Sequence, residues 1–311
     1  MKLYVGVTDN AWFDYISSLE DIDEVNFWQP SGDSTFKALQ PGELFLFKLH
    51  SPRNYIVGGG VFAYYTVLPI SLAWESFGEK NGAASYEEMR HKIVQYRRTP
   101  DNRLQDFKIG CILLTQPFFF KKSNWFPAPD WSAPIVRGKG YGLDTEAGKF
   151  ILRKVEQVMA ERKELYLDSE GKSIIEEHER YGKKILIKPR LGQGIFKIIV
   201  TDVYNRSCAI TRERTLPVLE AAHIKPYSKD GPHEVTNGIL LRSDMHKLFD
   251  TGYMTITPQL SIEVSRRIKE EFENGEYYFT FHGKQVHTPR RLEDCPSSEF
   301  LSWHNEKVFR G

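Results

Sequence analysis

The sequence predicts an α+β protein of two folded units joined by a helical stretch. Three observations carry this. Residues 1–145 hold runs of β-branched and aromatic residues bounded by Gly, Pro and Asn, the pattern of strands. Residues 146–187 are charged and helical in period. Residues 188–311 open with an apolar helical segment and then run strand, polar loop, strand, helix. At roughly 100–200 residues per domain, a chain of 311 residues has room for two.

In chain order, KLYVGVT opens with strand alternation. ELFLFKL and NYIVGGGVFAYYTVL read as strands paired across a turn at HSPRNY, and KIGCILLTQPFFF as a further strand. Between them SYEEMRHKIVQYRR sets Met89, Ile93 and Tyr96 at helical spacing. Thr145 as N-cap and Glu146 in the first turn start the linker helix, whose charge run reads as a solvated face. In GIFKIIVTDVY, Phe196, Ile199 and Val203 fall on one helical stripe. LPVLEAAHI then reads as a strand ending at His223, GILL as a second strand, and SDMHKLFD as a helix capped by Ser243.

Composition bounds the function less than the motifs do. Hydrophobic residues make up 41% and charged residues 27%, ordinary for a globular protein. The net charge is only +1, so any DNA contact must come from locally clustered basic residues. Cys111, Cys208 and Cys295 are odd in number and far apart, which implies no disulfide framework. The N-terminus lacks the apolar stretch of a signal peptide, and no run approaches the ~18 apolar residues of a membrane span. The expectation is a cytoplasmic protein with no membrane partner.

The chemistry is concentrated in EAAHIKPYSKDGPHEVTNGILLRSDMHKLFD. Hydrolysis of a phosphodiester needs an activated water, a divalent cation against the phosphate oxygens and rigid positioning. His223, at a strand end, can take a proton from water near neutral pH. His246, one turn into the facing helix, can hold a cation. Asn237 can tie the loop backbone and orient the base.

These residues resemble the HNH nucleases of the ββα-metal superfamily. The resemblance lies in AHIKP, then Asn237, then MHKLFD, with 14 residues from His223 to Asn237 and nine from Asn237 to His246. It implies that His223 is the general base, Asn237 the loop-organising residue and His246 a metal ligand. It further implies Asp250, four residues after His246 on the same helical face, as a second metal ligand for Mg2+, Mn2+ or another divalent ion. Two positions depart from the pattern. Many members carry an Asp just before the base, where this chain has Ala222. Many also carry two Cys-x-x-Cys pairs for a structural zinc. Here Cys208 is followed by Thr211, and Arg242 and Met245 stand in place of the second pair, so no structural zinc is expected. His233 reads as solvated, Cys208 as a small buried hydrophobe and His304 as structural; Glu220, three residues before His223, is open to a supporting role behind the site but is not counted among its residues.

The first unit is distinguished by its aromatic residues. A domain that extracts a base from a duplex needs an aromatic pocket with a few polar groups, and cations for the phosphates. Trp28, Trp125 and Asp130 are the candidates for the pocket, and Lys121, Lys122, Arg137 and Lys139 for the phosphates. The bland alternative is that these aromatics belong to a core. FWQPSG, FKALQPGELFLFKLHSP and IVGGGVF, in that order, resemble the EVE domains of the PUA-like superfamily.

The two resemblances together imply a PUA-like β-barrel with flanking helices over 1–145, a helical linker over 146–187 and a ββα-metal HNH domain over 188–311. They imply a modification-dependent restriction endonuclease that flips 5-methylcytosine or 5-hydroxymethylcytosine out of double-stranded DNA and cuts nearby. Cutting both strands points to a homodimer. Two other readings stay open: a non-cleaving reader whose HNH fold is degenerate, favoured by Ala222, and a nonspecific nuclease toxin.

Overall fold

The computed structural model describes residues 2–33, 35–97, 102, 105–132, 134–165 and 191–311. The chain divides into two compact units, 1–190 and 191–311. The expected linker beyond residue 165 and its boundary at 187 lie outside the described residues.

The first unit is built on a mixed sheet. Its strands are β1 (Lys2–Thr8), β2 (Glu24–Gln29), β3 (Leu44–Leu49), β4 (Tyr55–Pro69), β5 (Lys108–Phe119), β6 (Phe126–Pro127) and β7 (Gly138–Gly142). They lie in the order β2-β5-β4-β3-β1-β7, with β6 on β4. β1 runs parallel to β3, and the other pairings are antiparallel. Strand alternation sends successive side chains to opposite faces, and both faces are covered. Phe45, Phe47 and Leu49 of β3 pack with Trp12, Phe13 and Ile16 of helix α1 (Asn10–Ile16). Leu3 and Val5 of β1 and Leu46 of β3 pack with Ile151 and Val155 of helix α4 (Glu146–Leu165). Two further helices, α2 (Ile70–Phe77) and α3 (Tyr86–Arg97), separate β4 from β5. Thr145 caps α4 as expected, its hydroxyl accepting the Gly148 N–H at 3.1 Å.

The triple glycine in β4 has a packing reason. A Cβ on Gly59 would lie 2.5 Å from the Phe45 carbonyl oxygen, so only glycine allows β3 to come this close. The register of β4 against β5 shifts between Gly59 and Val61 and again between Phe62 and Tyr64. Such bulges bend a long strand.

The expected closed barrel is not what forms. Among the described residues, the sheet path ends at β2 on one side and β7 on the other, and these two do not pair. β2 is six residues long and stops before Pro30, which has no N–H to extend a ladder. β7 is five residues long and soon gives way to α4.

The second unit starts with α5 (Gln193–Val203). β8 (Leu219–His223) and β9 (Gly238–Arg242) form an antiparallel pair in which His223 faces Gly238. Helix α6 (Ser243–Asp250) follows β9 directly. Ser243 is the first helical residue and Arg242 holds the cap position, so the expected serine cap is displaced by one residue. Beyond it come β10 (Met254–Ile256), β11 (Ile262–Val264), α7 (Arg267–Phe272), α8 (Glu276–Phe279) and α9 (Ser298–Lys307). One core joins Phe196 and Val200 of α5, Ile239 to Leu241 of β9, Met245 and Phe249 of α6 and Leu301 of α9. His304 of α9 is buried in this unit. Its ring stacks on Phe249 at 3.7 Å, with Nε2 3.1 Å from the Phe249 carbonyl and Nδ1 2.8 Å from the Thr255 hydroxyl. No helix of the described residues is long and apolar enough to cross a membrane.

Candidate active site

The loop between β8 and β9 is held by one side chain. Asn237 is fully buried. Its Oδ1 accepts the Lys225 N–H, and its Nδ2 donates to the carbonyls of Lys225 and Pro232, each at 2.9 Å. Three bonds from one amide tie both arms of the loop together. Asn237-Gly238 is therefore not a tight hairpin turn, and Gly238 is extended at φ −119°. Glycine is needed there for another reason: a Cβ would lie 2.4 Å from Val200 Cγ2 and 3.0 Å from Phe196 Cζ. Its absence lets α5 press against the hairpin.

That contact sets the ring of His223. The imidazole stacks on Phe196 with centroids 3.9 Å apart and planes 14° from parallel. Its Nε2 lies 2.9 Å from Nδ1 of His233, so the two rings share a hydrogen bond. His233 is stacked in turn on the exposed ring of Tyr227, at 4.8 Å. Burial lowers the pKa of His223 to about 4, and the nearby charges of His233 and His246 act in the same direction. Asp250 opposes the shift. His223 is thus neutral near pH 7 and has a lone pair for a proton. His233 is not simply solvated, which corrects the sequence expectation. A histidine ten residues away in a Gly- and Pro-containing loop carries no sequence signal of this contact.

His246 lies between two carboxylates. Its Nδ1 is 2.5 Å from Glu220 Oε2, and its Nε2 is 3.3 Å from Asp250 Oδ2. Burial lowers its pKa, but the hydrogen bonds and charges of Asp250 and Glu220 outweigh burial, and the net shift is upward. Glu220, which the sequence left outside the site residues, takes a supporting place beside His246. It shares a face of β8 with Ala222 by strand alternation, and α6 packs against that strand. Ala222 is fully buried, whereas Glu220, one repeat earlier, reaches His246.

The arrangement suits a divalent cation held partly by the protein. Nε2 and Oδ2 stand 3.3 Å apart. Two neighbouring ligands each ~2.1 Å from an ion lie about 3 Å from one another, so the pair has the spacing of adjacent ligands. Glu220 on Nδ1 is the outer partner that fixes a ligating imidazole, leaving Nε2 for the metal. Among the described residues no group of three or more His, Cys, Asp or Glu side chains is placed to hold a metal. Water and phosphate oxygens would have to complete the shell, which is how Mg2+ is commonly bound.

Cys208 is fully buried, and its sulfur accepts backbone N–H groups from Ile210 and Thr211 at 3.4 Å and from Arg242 at 3.3 Å. Met245 is buried in the same core.

The residues expected to form a reader pocket each have partners within the first unit. The Trp28 indole donates to the Asn81 carbonyl at 2.9 Å and packs edge-on against Tyr96. The Trp125 indole donates to the Phe120 carbonyl at 3.1 Å and packs against Phe13 and Tyr55. Lys139 donates to the Asp130 carbonyl at 2.7 Å and lies over the Tyr141 ring. Lys121 and Lys122 are exposed at a short 3-10 turn, and Arg137 is exposed just before β7.

Residues 208–257 match the HNH_2 family model, described as HNH endonuclease. The second unit therefore carries an HNH endonuclease domain. No curated protein matches the chain. Among solved structures, two variant forms of ZmASCH from Zymomonas mobilis align over 49% of this chain. They are covered to 98% and 94%, at 10% and 11% identity and TM-scores of 0.31. The modification-dependent restriction endonuclease TagI aligns over 98% of this chain and 81% of its own length, at 12% identity and a TM-score of 0.27.

Proposed function

We propose that the second unit hydrolyses DNA phosphodiester bonds and that the first unit directs it to DNA carrying 5-methylcytosine or 5-hydroxymethylcytosine. The observation that carries the first half is the placement of His223. It is held at a strand end by Phe196 and by the loop that Asn237 pins, within the segment that matches the HNH endonucleases. In the reaction His223 takes a proton from the attacking water. The water oxygen bonds to phosphorus, the bond from phosphorus to the leaving oxygen breaks, and that oxygen is protonated from solvent. His233 orients the His223 ring through their shared hydrogen bond. His246 and Asp250 would hold a divalent ion such as Mg2+ or Mn2+, which would supply positive charge at the phosphate oxygens. Glu220 keeps the His246 ring in the orientation that ligation needs.

The second half rests on the resemblance of FWQPSG, QPGELFLFKL and IVGGGVF to modified-base readers. Trp28, Trp125 and Asp130 are the residues to test for base contact. Lys121, Lys122 and Arg137 are candidates for phosphates. Lys139 is already engaged by Asp130 and Tyr141. A homodimer would supply the two active sites that a double-strand cut requires.

Matched plasmids with plain, 5-methyl- and 5-hydroxymethylcytosine, incubated with Mg2+ or Mn2+, test both halves. The expected result is cutting of the modified plasmids and little or none of the plain one. Equal cutting of all three sinks the reader assignment and favours a nonspecific nuclease. A non-cleaving reader is favoured by the two-ligand cation site that Ala222 leaves. Binding of the modified plasmids without cutting at any metal concentration would establish it.

A further inference from the structure

The second unit also holds a cationic cavity outside the site above. It measures about 310 Å3 and is lined by Tyr204, Ser207, Arg212, Arg214, His287 and Arg290, among others. No carboxylate lines it. Among the described residues none of its three arginines forms an ion pair, although other arginines of this unit do. The acid between two of them, Glu213, is turned away. Its Oε1 accepts the N–H groups of Arg214 and Thr215 and the Thr215 hydroxyl, at 2.6 to 2.8 Å.

The walls are fixed although the arginines are exposed. Arg212 N–H donates to the Cys208 carbonyl at 3.1 Å, and Cys208 N–H donates to the Glu213 carbonyl at 2.8 Å, closing the loop that carries Arg212. His287 N–H donates to the Ala209 carbonyl at 2.8 Å, which binds the segment bearing Arg290 to that loop. Burial pushes the His287 pKa down, and the charge of Arg212 adds to the shift.

We propose that this cavity holds a backbone phosphate of the DNA strand, a few nucleotides from the phosphate that is cut. Guanidinium forks match phosphate oxygens, and among the described residues none of these three is matched by a carboxylate. The position also fits. Phe196, under His223, and Val203 and Tyr204, in the cavity wall, belong to α5 and its cap. Seven or eight helical residues span about 11 Å, which is about three base-pair rises. The one Phe, Tyr or Trp ring in its lining, Tyr204, is buried, so the cavity suits a strand passing over it better than a free nucleotide stacked on a ring. The proposal rests on the nuclease reading.

The test uses the full chain with His223→Ala, so that DNA is bound and not cut, and a plain duplex. Affinity is followed against salt concentration for this protein and for the same protein with Arg212→Gln and Arg290→Gln. The proposal expects the slope of log affinity against log salt to fall by about 1 in magnitude, since one phosphate contact is worth about 0.9. Arg290→Lys should keep the slope. An unchanged slope in a variant that melts normally overturns the proposal. Should the double variant fail to fold, Arg290→Gln alone, at an exposed position, gives the same readout. Titration with inorganic pyrophosphate separates the sources: tight binding lost in the variants, with the duplex slope unchanged, would make the ligand a free phosphate compound and overturn the DNA assignment. Absence of cutting by the unmutated chain would count against the nuclease reading and leave the slope result standing.

Discussion

Asn237 holds the β8–β9 loop through three hydrogen bonds from a fully buried side chain. Its replacement by alanine leaves one N–H and two carbonyls without their partner. A buried polar group left unpaired costs about 1–3 kcal/mol, so Asn237→Ala should lower stability by about 2–4 kcal/mol and abolish cutting. A melting temperature within a degree or two of the parent's would contradict this. His233 acts through His223. Burial leads the lowering of the His223 pKa and His233 adds to it, so removing His233 should raise that pKa part of the way from about 4. NMR titration of His223 in His233→Gln and His233→Ala checks the shift. Of the two, the Gln variant, which keeps a hydrogen-bonding partner, should cut faster. The strand, loop, strand and helix that carry His223, Asn237 and His246 were legible from period and spacing. The contact of His233 with His223 and the pairing of Glu220 with His246 were not, because each depends on how a loop or a strand face meets another element.

At the scale of elements, α5 and the β8–β9 hairpin act as one support. Gly238→Ala places a methyl group 2.4 Å from Val200 and 3.0 Å from Phe196. Overpacking of this kind costs about 1–3 kcal/mol. Because Phe196 carries the His223 ring, cutting should fall with stability, and normal cutting in this variant would argue against the support. α9 makes the second unit sensitive to acid. His304 has a pKa lowered to about 4 by burial, against 6.5 in an unfolded chain, and His223 behaves alike. Above pH 6.5 neither state takes a proton and stability is unaffected. As pH falls below 6.5 the unfolded chain binds protons that the folded unit refuses, so stability drops until about pH 4. At about 1.4 kcal/mol per unit, His304 alone accounts for about 3 kcal/mol. Melting followed from pH 7.5 to 4.5 should show this loss, reduced in His304→Gln, and a flat profile would refute it. The order of elements in this unit was readable because each short segment has its own period and boundary. The serine cap was displaced because chain direction at a helix start depends on the preceding strand.

At the scale of the whole molecule, selection and cutting are assigned to different units. In the first unit the strands, the β3–β4 hairpin and helix α3 were readable from alternation and helical spacing. Closure was not, since it depends on whether the edge strands β2 and β7 meet, which the pattern within each strand does not encode. Aromatic content was equally ambiguous: Trp28 and Trp125 pack at the margin of a core that also holds Phe45 and Phe47. If selection lies in this unit, changing Trp28 or Trp125 should reduce the preference for modified plasmid and spare metal-dependent cutting at high enzyme. Loss of both together, in a folded variant, would place selection and cutting in one site.

The central claim is that His223 is the base of a DNA nuclease. The measurement that tests it most directly is single-turnover cutting of cytosine-modified DNA with Mg2+ by the parent protein and by His223→Ala, with DNA binding measured in parallel. The account predicts equal binding and a rate lower by at least about 100-fold in the variant, the usual scale of general-base catalysis. Undiminished cutting by His223→Ala would contradict it.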